Sequence, residues 1–309
     1  MDFRQLEAFV NVAKYKNFSK AAKALYLSQP TISLHISNLE KELNLSLFDR
    51  TSKEVNLTPQ GGEFLNYALD MINMKNKALH QLTSSEMKIT GSLHISTSST
   101  PNITLLPRAI ADFKNMHPEV SFVIEEKSSN LIIEDVCSLT ADLGIVGMYV
   151  VSDRFICSEL YQDNLLFICA EDSPIKDVME FHEMASYNLI NRSEESGTRT
   201  DLQRHFAEQG FDGSSLESIV ETDDLTLILS LVSLDIGFSY VSQSVFDVYK
   251  NHIPIRAFNI RGIDMQRSIH LLVNKRRTLS PAADDFKQLL LSYYKKDCKS
   301  LKSPVTISL

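Results

Sequence analysis

Residues 18–36 read FSKAAKALYLSQPTISLHI, two short helical patterns that meet across a tight turn. In each pattern the apolar side chains recur at helical spacing and so share one face. These positions are Ala21, Ala22 and Leu25 in the first pattern, and Ile32, Ile36, Leu39 and Leu43 in the second. Because alanine is small, the two helices can cross closely. The stretch therefore predicts a pair of packed helices near the N-terminus.

A serine stands at the start of each helix. Ser19 and Ser28 are predicted N-caps, because a serine hydroxyl accepts a hydrogen bond from a backbone N–H of the first turn. Pro30 falls in the first turn of the second helix, where its missing N–H costs nothing. The side chains predicted to point outward from this second helix form hydrogen bonds, as reading base edges in a major groove requires; they are Gln29, Thr31, Ser33 and His35. An ordinary helical hairpin with a polar face is the alternative.

Residues 1–66 as a whole resemble the winged helix-turn-helix of LysR-type transcriptional regulators. The matching residues stand at the spacing of that family; they are Phe3-Arg4-Gln5-Leu6, Phe9-Val10, Phe18-Ser19-Lys20-Ala21-Ala22, Ser28-Gln29-Pro30-Thr31-Ile32-Ser33, Ile36, Leu39-Glu40, Leu47-Phe48-Asp49-Arg50-Thr51 and Leu57-Thr58-Pro59-Gln60-Gly61. The resemblance implies that residues 28–31 and 33–35 contact DNA. Leu34 and His35 stand where the family usually has arginine and glutamine. The arginine that could bind guanine with two hydrogen bonds is therefore missing at this position, and the operator sequence of other family members cannot be transferred to this chain.

Residues 45–57 alternate in the manner of a small hairpin, the expected wing. Arg50, Thr51 and Lys53 lie at its tip and suit contact with phosphates, which positions a protein on DNA without reading sequence. A solvated side chain is the alternative for Lys53, and an ion pair with Asp49 or Glu40 is the alternative for Arg50.

Thr58 and Pro59 then predict the start of a long helix that extends to Met87. Leu65, Leu69, Ile72, Asn76 and Leu79 follow a 4-3-4-3 spacing, which is typical of the seam of a two-helix coiled coil. By resemblance this is the linker helix through which two chains form a dimer, and the family commonly forms tetramers from such dimers.

From Leu93 the pattern changes to alternating strands and helices, which predicts α/β structure with parallel-type sheets covered by helices. It resembles the two-lobed effector-binding domain of the same family, which is similar to periplasmic solute-binding proteins. The expected domains are residues 1–58 (winged helix-turn-helix), 59–89 (linker helix), 90–162 with 268–296 (first lobe), 163–267 (second lobe) and 297–309 (tail).

Three hydroxyl-rich loops follow predicted strands, at the place where α/β sheets bind ligands. Helix starts of this kind favour anions. We expect a small anionic effector to contact Ser98, Ser99, Thr100, Gly147, Ser196, Thr198 and Arg199. The segment Ser196-Gly197-Thr198-Arg199 resembles a loop of family members that sense anionic metabolites of sulphur or carbon assimilation. The alternatives are that Ser196 and Thr198 only cap a helix, and that Arg199 forms a surface salt bridge.

The composition of the 309 residues is that of an ordinary globular protein, with 43% hydrophobic and 23% charged residues. The net charge of −8 argues against indiscriminate binding of nucleic acid. Four cysteines without metal-site spacing predict reduced structural thiols and no metal. The chain shows neither a membrane span nor a signal peptide, so we expect a cytoplasmic protein.

The favoured function is a ligand-responsive regulator that binds double-stranded DNA as a homodimer or homotetramer, without a cofactor. A solute-binding protein of a transport system is the alternative, although it requires export. No nucleophile elbow, phosphate-binding loop or zinc-protease motif supports an enzyme.

Overall fold

The computed structural model describes residues 1–50, 55–82, 88–213 and 216–294, and the side chains of Arg50, His80, Gln81 and Tyr294 are not among the described parts. The predictions for Thr51, Lys53, Cys298 and the tail 297–309 therefore lie outside the described residues. Two compact units are present. The first comprises Met1–Ile89 with Arg276–Asp284, and the second comprises Thr90–Lys275 and the chain from Asp285.

The first unit contains three short helices, a two-stranded hairpin and a long helix. In order they are α1 (Phe3–Tyr15), α2 (Phe18–Ala24), α3 (Gln29–Leu43), β1 (Phe48–Arg50), β2 (Val55–Leu57) and α4 (Pro59–Leu82). The helices enclose a common core built largely of the apolar positions that the sequence pattern singled out, including Ala21, Ile32, Ile36 and Leu39, all of them fully buried. The predicted helix-turn-helix and wing are both present.

The capping predictions have different outcomes. Ser28 caps α3, because its Oγ accepts a hydrogen bond from the Thr31 N–H. The prediction for Ser19 was wrong. Asn17 caps α2 instead, with its side-chain oxygen accepting from the Lys20 N–H at 2.9 Å. Asparagine and serine are about equally good caps, so composition alone could not distinguish the two starting points.

The long helix α4 uses part of its predicted coiled-coil face inside its own chain. Leu65 and Ile72 pack against the core of the first unit. The large apolar side chains that α4 leaves exposed include Tyr67, Met74 and Leu82. Of the predicted positions, Leu79 is 41% exposed, so the exposed apolar side chains of α4 coincide with the prediction only in part, and the coiled-coil pairing stays a prediction. The predicted extension from 83 to 87 lies outside the described residues.

The second unit is organised around an eight-stranded sheet in the order β4-β3-β5-β12-β6-β11-β7, with β10 paired to β6, and a separate pair β8-β9. The strands are β3 (Gly91–Thr97), β4 (Val120–Glu126), β5 (Leu143–Val146), β6 (Phe155–Ala170), β7 (Val178–Met179), β8 (Leu189–Asn191), β9 (Ser218–Glu221), β10 (Ser239–Ser242), β11 (Ile255–Ile260) and β12 (Gln266–Asn274). The helices are α5 (Ser99–Thr104), α6 (Leu106–Met116), α7 (Ser129–Cys137), a 3₁₀ helix (Phe181–Ser186), α8 (Gly197–Glu208), α9 (Leu225–Ser233), α10 (Gln243–Tyr249) and α11 (Pro281–Tyr294).

The sheet is mixed, which corrects the expectation of parallel-type sheets. β3 runs parallel to β4 and β5, and β8 runs parallel to β9. The long strand β6, however, is antiparallel to β12, β10 and β11. It connects a first lobe around β3–β5 with a second lobe around β8–β11. Helix α5 is a second correction, because Ser99 and Thr100 were expected to lie in a loop. Across the described residues, no helix combines the length and the apolar character that crossing a bilayer requires.

Candidate functional site

The first candidate site is the outer face of α3. Its start is held by Ser28, whose Oγ lies 2.7 Å from Thr31 Oγ1. Gln29 Nε2 donates to Ser33 Oγ at 3.1 Å, one turn further along the helix. These contacts order the polar side chains of the first two turns before any ligand binds.

The exposure of this face differs from the predicted pattern. Ser28, Gln29 and Pro30 are exposed, and Leu34 is 60% exposed. Three predicted contact residues are only half-buried at the flanks of the helix, namely Thr31, Ser33 and His35. Asn38 and Lys41 are also exposed and were not predicted. They lie one and two turns beyond Leu34, so helical spacing from Leu34 is the signal that could have found them.

The wing adjoins the C-terminal half of α3. The carboxylate of Glu40 accepts hydrogen bonds from the backbone N–H groups of Leu47 and Phe48, at 2.9 and 3.2 Å. This fixes the entry into β1 relative to α3. The contact roles of Arg50, Thr51 and Lys53 stay predictions.

The second candidate site is a cleft of about 220 Å³ in the second unit. It lies at the carboxyl ends of β3, β4, β5 and β8, where α5, α7 and α8 begin. Most of the predicted effector contacts line it together, namely Ser98, Ser99, Thr100, Gly147, Ser196 and Thr198. Among the described residues, Arg199 is not part of the lining. Its Nη1 donates to the Arg192 carbonyl at 2.8 Å and lies 3.1 Å from Glu221 Oε2, so Arg199 supports the loop from behind.

A buried arginine that the sequence did not single out crosses the cleft. Arg192 follows β8 directly, and its side chain is 7% exposed. Its Nε donates to Asp223 Oδ1 at 2.9 Å, and its Nη2 donates to Ser99 Oγ at 2.8 Å. Burial raises the pKa of Asp223, but hydrogen bonds from Ser193 and Arg192 outweigh it and lower the pKa overall. The guanidinium thus joins a second-lobe residue to a first-lobe serine.

A second buried arginine, Arg267, lies at the start of β12 with 2% of its side chain exposed. Its Nη1 donates to Thr198 Oγ1 at 2.9 Å, and its Nε lies 3.6 Å from Asp201 Oδ2. Burial raises the pKa of Asp201, although Arg267 and its other cationic neighbours oppose the shift. The Arg267 guanidinium also rests against Gly147, where a side chain would occupy its position.

Serine hydroxyls complete the lining. Ser98, Ser128 and Ser196 occupy the N-cap positions of α5, α7 and α8, but none of the three side chains makes the capping hydrogen bond. Within the described part of the chain, the buried Oγ atoms of Ser98 and Ser128 have no hydrogen-bond partner. Helix starts with free N–H groups attract anions, so the cleft offers donors from both lobes.

The described residues contain no group of side chains suited to hold a metal ion. Cys137, Cys157 and Cys169 are free thiols. Burial raises the pKa of Cys157 and of Cys169, which keeps both protonated and unreactive.

A helix-turn-helix unit joined to a two-lobed unit with a polar cleft is the architecture of a ligand-responsive transcriptional regulator. Residues 3–62 match the family described as bacterial regulatory helix-turn-helix protein, lysR family, and residues 88–295 match the LysR substrate binding domain. The chain belongs to the LysR family of transcriptional regulators. The match over residues 3–62 decides between the two functions weighed from sequence, and the matched families contain regulators rather than enzymes.

Individual relatives agree with this assignment. A probable RuBisCO transcriptional regulator from Porphyra purpurea is 28% identical over 295 residues, which cover 94% of this chain and 93% of the relative. Full-length OxyR from Pseudomonas aeruginosa, in a substituted form, superposes with a TM-score of 0.75 at 18% identity, covering 96% of this chain and 95% of that one. Full-length CbnR, solved in complex with its target DNA, gives a TM-score of 0.59 at 20% identity, covering 94% and 99%.

Proposed function

We propose that this regulator binds double-stranded DNA through α3 as a homodimer or homotetramer, and that a small anionic molecule bound in the cleft changes the geometry of the oligomer. The wing residues Arg50, Thr51 and Lys53 contact phosphates beside the groove. A regulator of this kind works where the DNA is, so we place it in the cytoplasm. Ligand control requires that the anion bind one geometry of the oligomer better than the other.

The DNA-binding part of the proposal is supported by the exposed start of α3. Ser28, Gln29 and Pro30 are open to solvent, and the buried face of the helix is anchored by Ile32 and Ile36. A rigid helix with one open polar edge is what entry into a major groove requires. The fold shared with CbnR, which was solved with its target DNA, is consistent with this use of the helix.

The oligomeric part is supported by α4. Its exposed apolar side chains include Tyr67 and Met74, seven residues apart and therefore on one face of the helix, and Leu82 extends the apolar surface near its end. Pairing two copies along this face would remove those side chains from water. Two reading helices in one dimer would then contact half-sites about 34 Å apart on an imperfectly palindromic operator.

The observation that carries the ligand proposal is the pair of buried guanidinium groups in one cleft, those of Arg192 and Arg267. Each is held by a neutral hydroxyl as well as by a carboxylate, Ser99 and Asp223 for Arg192, and Thr198 and Asp201 for Arg267. Asp201 Oδ2 lies 3.6 Å from Arg267 Nε, and among the described residues neither atom has a hydrogen-bond partner, so the Arg267 guanidinium keeps a donor that its carboxylate neighbour does not use. Arginine suits carboxylate and phosphate groups because its donors match their oxygens in pairs.

DNA binding is tested with the purified full chain and fluorescently labelled DNA from its own promoter region. We expect retarded DNA whose affinity falls with rising salt, because phosphate contacts release counterions. Gln29→Ala removes a groove-facing side chain and should weaken binding. Gln243→Ala, at the start of α10 in the second unit, is the matched control and should leave it unchanged. Absence of any retarded DNA at moderate salt would refute this part of the proposal.

Ligand binding is tested by thermal unfolding of the full chain in the presence of small carboxylates, phosphate and sulphate. An anion present at about 100 times its Kd should add about 2.7 kcal/mol to the free energy of unfolding. Arg192→Met and Arg267→Met should abolish the response. Arg261→Met is the control, because Arg261 is exposed, pairs with Glu180 and, among the described residues, does not line the cleft. An equal response in all four proteins would place the ligand elsewhere.

A further inference from the structure

Leu34 projects from α3 on the side opposite to the core. It lies two residues from Ile32 and from Ile36, both fully buried, so the helical rotation of about 100° per residue turns Leu34 directly outward. The side chain is 60% exposed. Pro30 and Asn38, one turn before and one turn after, are exposed on the same side.

The chemistry of this side chain restricts what it can contact in a groove. A leucine offers no hydrogen bond to a phosphate, a sugar or the polar edge of a base. Within the major groove, the C5-methyl group of thymine is the apolar group that the base edges present. Burying a methyl group against an apolar side chain is favourable by the ordinary hydrophobic effect.

The other large exposed apolar side chains of the helix-turn-helix lie before α3 or in its first turn: Tyr26 is 96% exposed, Leu27 is 42% exposed, and Pro30 is exposed. They stand at the end of the helix, whereas Leu34 stands in its middle, at the height of a base pair when the helix lies in the groove. Of the side chains described on α3, Leu34 is therefore the large apolar one placed to meet a base edge beyond the first turn of the helix.

We propose that Leu34 reads a thymine in each half-site of the operator by packing against the C5-methyl group of that base. This inference rests on the proposed function, because it assumes that α3 enters duplex DNA. It adds a specific base preference at the place where the resemblance to other LysR-type proteins supplies none.

The experiment begins with operator sequences that the purified full chain selects from a random DNA library. Each thymine of the selected operator is then replaced in turn by deoxyuridine, which lacks the methyl group and keeps the base pairing. Binding of the native chain should weaken about fourfold at one thymine per half-site, the factor expected from exposing one buried methyl group. Leu34→Ala should bind the two DNAs equally at that position.

Two further variants make the result specific. Leu34→Met retains an apolar side chain and should keep most of the discrimination between thymine and deoxyuridine. Leu131→Ala removes a leucine that is 46% exposed on α7 of the second unit and should discriminate as the native chain does. Both substituted positions are exposed, and unchanged thermal unfolding of each variant confirms that the fold is intact.

The outcomes separate the inference from the proposed function. Selection of an operator that tolerates deoxyuridine at every position would overturn the role of Leu34 and leave DNA binding standing. Discrimination that persists in Leu34→Ala would assign the methyl contact to another residue and also overturn it. Failure to select any DNA sequence would refute the proposed function itself, and the inference with it.

Discussion

Replacing Gly147 with alanine tests how the cleft holds its second arginine. A Cβ atom at Gly147 would lie 1.6 Å from Nη2 and 2.8 Å from Cζ of Arg267. Ordinary contacts between such atoms begin near 3.4 Å. The guanidinium would therefore have to move by roughly 2 Å to restore an ordinary van der Waals contact with the new Cβ atom, in an interior that is tightly packed. Such a displacement exceeds what the 2.9 Å hydrogen bond from Arg267 to Thr198 can accommodate.

The expected cost follows from the interactions that this displacement breaks. A hydrogen bond from a charged group contributes about 1.5–3 kcal/mol, and the displaced guanidinium also moves away from the buried carboxyl of Asp201. We expect Gly147→Ala to lower the free energy of unfolding by about 2 kcal/mol. The same change should abolish the stabilisation by small anions, because a methyl group and a shifted guanidinium would fill part of the cleft.

Urea unfolding of the full chain, followed by circular dichroism because the sequence has no tryptophan, measures the stability change. Gly62→Ala is the matched control. A Cβ at Gly62 meets nothing within 4 Å, and the residue lies inside α4. Alanine should therefore stabilise the helix by about 0.5–1 kcal/mol. If Gly147→Ala unfolds like the native chain and is still stabilised by anions, the described position of the Arg267 side chain against Gly147 is incorrect.

Three further substitutions test individual features. Ser28→Ala should lower the free energy of unfolding by about 1 kcal/mol through loss of the α3 cap, whereas Ser28→Asp should restore stability but weaken DNA binding in a mobility-shift assay, because its carboxylate repels phosphates. Tyr26 is 96% exposed and has a φ of +55°, a left-handed conformation that asparagine adopts more readily than tyrosine. Tyr26→Asn should therefore raise the free energy of unfolding in urea by about 1 kcal/mol. A lowered free energy of unfolding would show that the backbone at this position is not strained. Burial lowers the pKa of His270 from 6.5 to about 4, so the unfolded chain binds this proton first as the pH falls. The free energy of unfolding should therefore decline between about pH 6.5 and 4, by at most about 3 kcal/mol; His270→Gln should flatten that slope in urea titrations, and an unchanged slope would contradict the burial of a neutral imidazole.

Features that neighbouring residues set could be predicted from the sequence, whereas features that distant contacts set could not. The predicted start of α3 was right because Ser28 and Pro30 act within one helical turn. The start of α2 was wrong because Asn17 and Ser19 are both good caps, and packing against the core selects the helical phase. The sequence of strand β6 is a clearly apolar run only from Leu165 onward. Its earlier residues include Ser158, Glu159 and Gln162, whose polarity hides a strand that becomes stable through its antiparallel pairing with β12.

The residues of the cleft also divide into those that the local sequence indicates and those that only the fold reveals. Ser98, Ser99 and Thr100 were predicted because a hydroxyl-rich loop after a strand is recognisable from neighbouring residues alone. Arg192 and Arg267 are separated by 74 intervening positions in the chain, and each resembles an ordinary charged residue in its local sequence.

The sequence alone determined the helix-turn-helix, the family and the loops that line the cleft, because capping, helical periodicity and turn chemistry operate over a few residues. The tertiary structure decided which arginines are buried, which face of α4 stays exposed and how β6 connects the two lobes. Those properties depend on contacts between segments far apart in the chain. A side chain becomes buried only once those segments have packed together.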